Sequence, residues 1–219
     1  MDLMYFLRER TKFVAYMYKS VVPQFEEIKR KIDVGEEPYV DRRYGEEPDE
    51  PAFLDEYQDA DLAADVIGMT CLSMLQATFQ SFLREYVKEV GGGDLLGRVR
   101  SMKQGSWFAD YRAFFESVLG IDWAASGVDI GFLEHIILTR NDYQHNMEIF
   151  SGYVYQTEHH ANKYPKGAFR DARWPVSIFM PARLIVQPEK LEASIEAVDK
   201  LCEFLEDTRR KLRRSVLHQ

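Results

Sequence analysis

Two cysteines in 219 residues, far apart in the chain, are too few to frame a disulfide scaffold. Cys71 and Cys202 both fall inside apolar, helix-like patterns, which predicts buried reduced thiols and suits the cytoplasm. No run reaches the roughly 18 consecutive apolar residues of a membrane span, so no membrane partner is expected. The opening stretch, MDLMYFLRERTKF, has an acid at position 2 and an arginine at position 8, and thus lacks the basic-then-apolar order of a secretory signal. Internal repeats are absent. The one glycine cluster, GGGD at 91–94, lacks the lysine and hydroxyl of a phosphate-gripping loop. No cysteine or serine stands in a nucleophilic setting. What is present is a globular composition, 46% hydrophobic and 13% aromatic, which excludes disorder for most of the chain.

The net charge of −8 looks hostile to nucleic acid until it is located. Residues 33–61 hold twelve acids and two arginines, a balance of −10, which leaves +2 for everything else. An RNA partner is therefore not excluded by charge. The same stretch holds Pro38, Pro48 and Pro51 with little periodic apolar content, so 33–60 reads as an acidic surface loop.

Around that loop the pattern is helical. Leu3, Phe6, Leu7, Phe13, Val14, Met17 and Val21 recur at three- and four-residue steps, with Pro23 expected to kink or interrupt the continuation to Ile32. A long second helix is expected from about Asp61 to Val90, apolar on two sides and therefore central, and stopped by the glycines that follow. Ser106 is placed to cap a third, bearing Trp107, Phe108, Tyr111, Phe114 and Phe115 and ending at Gly120. A fourth begins near Asp129, and Pro188 starts a fifth that ends in RRKLRR. Residues 151–187 are irregular; WPVSIFMPARLIV fits a short β-hairpin or extended chain laid over the helices. The fold class expected is all-α: a single domain over 1–219, a mainly antiparallel bundle of four to five helices.

The fourth helix carries the chemistry. Phe132, Leu133, Ile136 and Ile137 define an apolar face whose centre runs into Arg140 at about 100° per residue. A guanidinium buried without partners costs several kcal/mol, so Arg140 must meet an acid, line a wet cleft or face a ligand or second chain. Asn141 and His145, four apart, share adjoining surface, whereas Arg140 and His145 are about 140° apart. One narrow face cannot display both; a cleft wrapping the helix, or a symmetric second chain, can unite them.

At these residues the chain resembles a known family. RNDYQH, Arg140 to His145, is similar to the motif of HEPN-domain proteins, helical bundles in which an arginine, four to six intervening residues and a histidine form an RNase site, commonly with asparagine directly after the arginine. The resemblance implies a metal-independent endoribonuclease without cofactor, a toxin or phage-defence effector acting as a homodimer, with an antitoxin or regulatory protein among its partners. RNA supplies its own nucleophile, the 2′-OH, and DNA lacks it. Cleavage needs a base near neutrality, a cation for the phosphorane oxygens and an acid for the leaving 5′-oxygen. Under the resemblance His145 takes the first or last role and Arg140 the second. Asn141 orients His145 or contacts phosphate, Asp142 holds an imidazole or a guanidinium, and the second chain contributes the other imidazole. Some family members carry a tyrosine two residues after the motif histidine, modified by partner nucleotidyltransferases; Met147 stands there, so control by that modification is not supported. The alternative is a non-catalytic helical module that binds RNA, a nucleotide or a partner protein with the same cleft.

Competing sites are weaker. Glu158, His159 and His160 could ligate a metal, but adjacent histidines without a second spaced cluster read as solvated loop residues. His135 reads as a helix-surface histidine. Trp107 and Phe108 could stack bases, although their spacing favours core packing. Arg213 and His218 repeat the motif spacing at the C-terminus, where fraying is expected.

Overall fold

The computed structural model describes residues 2–43, 50–103, 106–147, 151–174 and 181–217. His218 and the acidic residues Glu46, Glu47 and Asp49 lie outside them. The described chain is all-α, a helical bundle with seven α-helices.

Helix α1 spans Leu3–Val34. Asp2 opens it by accepting a hydrogen bond from the Tyr5 N–H at 3.0 Å. Gly35 closes it at φ 64°, where a side chain would be strained, while the Glu36 N–H reaches back to the Lys31 carbonyl at 2.9 Å. Pro23 does not interrupt it. The ring removes one hydrogen bond, yet buried Tyr18, Val22 and Lys29 on either side keep the helix packed along α2.

Helix α2, Leu54–Glu89, begins two turns before the expected Asp61. Asp55 and Glu56 stand in its first turn, where the helix dipole favours negative charge. Acidic composition thus concealed a helix start, and the connection between helices is 35–53 rather than 33–60. By length and composition α2 could cross a membrane, with a mean hydropathy of 1.4 over 18 residues, a property that counting consecutive apolar residues does not register. Here α2 is the central helix of the bundle, with α1, α5 and α7 all packed on it.

Helix α3, Gly93–Lys103, follows directly and was not expected, because its sequence is largely polar; of the residues whose burial is described it contributes Leu96 to the core. Gly92 permits the turn between α2 and α3: a Cβ there would sit 2.4 Å from the Phe114 ring. Helix α4, Trp107–Ser117, is capped by Ser106, whose hydroxyl accepts from the Ala109 N–H at 3.3 Å. It delivers Phe108 and Phe115 to Trp123, which opens a 3₁₀ turn (Trp123–Ser126), and Phe108 also to Phe79 of α2. Phe108 is buried and Trp107 half-buried against Phe79, so both serve the core. Cys71 and Cys202 are buried free thiols.

Helix α5 is Ile130–His145, α6 is Glu158–Lys163 and α7 is Pro188–Leu217. The first arm of the hairpin considered for 174–186, residues 175–180, lies outside the described residues. The chain lies over α5, tied by isolated antiparallel bridges Met147–Val154, Tyr155–Arg183 and Arg170–Leu184. Arg183 is buried, ion-paired to both Asp61 and Asp65 of α2, and lies over the Tyr153 ring at 3.9 Å. Lys29 of α1 completes the group, 2.8 Å from Asp61.

Candidate functional site

Helix α5 starts at Asp129, whose carboxylate accepts from the Phe132 N–H at 3.1 Å. Leu133, Ile136 and Ile137 bury one side, and the helix packs on α2 and α7. A second side is buried too. His135, Thr139 and Asp142 recur at steps of four and three, and all are sealed under residues 157–169. The single apolar face inferred from sequence is therefore half of the buried surface of this helix.

On the covered side every charge is answered. One Asp142 oxygen accepts from the Thr157 hydroxyl at 3.0 Å, the other from the Thr157 N–H at 3.1 Å, and His160 Nδ1 lies 2.7 Å from the latter. Asp142 does hold an imidazole, that of His160 rather than His145. His160 is fully buried, contrary to the solvated loop expected for it, while its neighbour His159 is exposed. His135 is likewise buried rather than superficial, stacked on Tyr164 at 4.7 Å and edge-on to His160 at 4.9 Å. Burial, assisted by the adjacent His160 imidazole, pushes its pKa down to about 4, so His135 is neutral. The Nε2 atoms of both rings are buried without hydrogen-bond partners. Gly167 closes over His135; a Cβ there would lie 2.7 Å from Nε2.

The opposite condition holds at Arg140, Asn141 and His145. Arg140 is half-buried at the C-terminal end of the apolar side, and no carboxylate pairs with it among the described residues. One terminal nitrogen donates to Asn141 Oδ1 at 3.1 Å, and Nε is buried without a partner. Desolvation pulls the guanidinium below its usual pKa range. His145 is exposed in the last turn of α5. Asn141 and His145 thus lie along the strip of α5 left uncovered, with Arg140 at its edge on the bundle side.

This arrangement can bind an anion. A guanidinium short of hydrogen bonds, an amide already oriented by it and a solvent-reachable imidazole are the groups phosphate recognition uses. Asp142 is not free to serve there, since its lone pairs are committed to α6. Among the described residues no group of three or more metal-ligating side chains converges; Glu158 and His159 face solvent and His160 faces Asp142. The signal that could have revealed His160 is Thr157, a helix cap that fixes the direction of the short α6 that follows. No family model, no curated protein and no solved structure matches this chain.

Proposed function

We propose that the chain is a cytoplasmic, metal-independent endoribonuclease of the HEPN type, a toxin or phage-defence effector acting as a homodimer. The observation that carries the reading is Arg140: a half-buried guanidinium with an orphaned Nε, no carboxylate among the described residues, and Asn141 and His145 on the adjoining strip. Arg209 has a buried Nε without a partner as well, but it and Arg183 each meet two carboxylates. Arg140 has no such counter-ion among the described residues.

In the reaction, His145 removes the proton of an RNA 2′-OH, and that oxygen attacks the adjacent phosphorus. Arg140 takes the charge that builds on the non-bridging oxygens. The 5′-oxygen leaves with a proton from the second copy's His145, giving a 2′,3′-cyclic phosphate and a 5′-hydroxyl. Asn141 holds the guanidinium in register through its Oδ1. Purified chain should cut RNA to these ends, and His145→Ala should not. A mixed dimer of one parent and one His145→Ala chain should be inactive, because each cut uses the imidazole of both copies; half of the parental activity in such dimers would place base and acid in one chain.

The rival reading, a non-catalytic module that binds RNA, a nucleotide or a partner protein, draws on the separation of about 140° between Arg140 and His145 on α5. It predicts RNA that survives incubation and an Arg140→Ala chain that binds more weakly without any change of product.

A further inference from the structure

The outward side of α1 is built for contact rather than for water. Its inward stripe, Leu3, Leu7, Val14, Tyr18 and Val22, is buried against α2 and α7. Opposite that stripe, at about 100° per residue, stand Tyr5, Phe6, Phe13 and Tyr16, with exposures of 58%, 55%, 53% and 67%. Charged residues ordinarily occupy this position on a surface helix. At roughly 150–250 Å² per aromatic side chain, the exposed part amounts to roughly 300–500 Å². That is the size of patch that marks an interaction surface on a monomer, and about half of the ~800 Å² per side of a stable interface.

The order of residues along the stripe names the occupant. A twofold axis crossing α1 between Arg10 and Thr11 sets two copies antiparallel and brings Tyr5 opposite the second copy's Tyr16, and Glu9 opposite its Lys12. Both pairs lie on the same edge of the stripe, as that symmetry requires. On the other edge Phe6 meets the second copy's Phe13 within two residues of register, about 3 Å. Beside Phe6 a cleft of about 220 Å³ opens toward α2, floored by Leu3, Leu7 and Phe82 and rimmed by Arg10 and Glu85, in the path of that incoming ring. Glu9 and Lys12 are 3.1 Å apart within one chain and both exposed, so a second copy converts one weak surface pair into a four-membered network.

We infer that this face is a self-association surface whose partner is an antiparallel second copy of α1. It goes beyond the nuclease reading and does not depend on it. The face turns away from α2 and α7, on which α5 packs, so association here leaves Arg140 and His145 open.

The test is solution mass by sedimentation velocity on the whole chain at about 20 μM, with RNA cleavage assayed separately. Tyr5→Ser combined with Phe13→Ser and Tyr16→Ser should halve the assembly mass, with the dissociation constant rising about a hundredfold or more; these exposed positions should leave the circular dichroism spectrum unchanged, and the parent's rise in melting temperature with concentration should shrink. Glu9→Lys alone should weaken association, and Glu9→Lys with Lys12→Glu should recover it, because only a symmetric antiparallel register restores both pairs. A wild-type monomer at this concentration, a triple variant of unchanged mass, or a charge swap that fails to recover would each overturn the assignment. A monomer that binds vesicles through these aromatics counts among the overturning results. Loss of cleavage in His145→Ala with the mass unchanged leaves this surface standing, and a chain inactive on RNA leaves it standing too.

Discussion

Helix α5 carries polar groups on two sides, and the two sides treat them differently. Under α6 the Asp142 carboxylate accepts three hydrogen bonds, His160 is clamped, and His135 is kept neutral by burial. A few residues along the same helix, Arg140 is left with an orphaned Nε, and His145 faces solvent. A polar cluster whose carboxylate is bonded and whose rings are sealed from water rigidifies the fold and offers no route to a ligand. An open set at the edge of the same rigid helix keeps that capacity and borrows the rigidity. The contrast teaches that, of two adjacent acid–base groupings, the one sealed from solvent is the scaffold and the one that solvent reaches is the candidate for chemistry.

The contrast can be broken most sharply by activity. If the open side is catalytic, His145→Ala should lower RNA cleavage about 10²–10⁴-fold with an unchanged melting temperature, read by denaturing gels and calorimetry in parallel. Next in size, Asp142→Ala leaves the buried His160 without its partner and should cost about 3–5 kcal/mol in chemical denaturation. Equal stability of that variant and the parent would show that the covered cluster is not structural.

Acidification separates the sides further. His135 has a folded pKa of about 4, below its ordinary 6.5, so the unfolded chain binds a proton that the folded chain refuses between those values. Its contribution is therefore constant above pH 6.5 and is lost as pH falls toward 4, on the order of 3 kcal/mol over that window. Urea midpoints from pH 7 to 4.5 should fall less steeply in His135→Phe than in the parent. Gly167→Ala, which crowds His135 Nε2, should cost about 1–3 kcal/mol. The smallest effect is expected at Arg140→Met, within about 1 kcal/mol of the parent in either direction, because no ion pair among the described residues is lost.

Much of the fold was legible. Ser106 caps the helix it was expected to cap, the fourth expected helix begins at Asp129, Pro188 opens the last one, and the thiols are buried and free. What escaped has physical causes. Pro23 was overruled by packing along α2, since one lost hydrogen bond is small against a buried stripe. The start of α2 was hidden because Asp55 and Glu56 stabilise a helix N-terminus and yet read as loop composition. Helix α3 buries too little to leave a period. At the site, the half-buried place of Arg140 followed from the 100° rule, which is local. The burial of His160 did not, because it depends on Asp142, eighteen residues away and on another helix.

Arg183 bears on how this chain could be shortened. The segment over α5 has the look of an ornament that a minimal bundle might shed, but its guanidinium is the counter-ion for two acids set into α2. Excising 151–187 would strand Asp61 and Asp65 with only Lys29 for company and bare the covered flank of α5. Helices and overlay are consequently one folding unit, and truncation should stop at the ends of the chain.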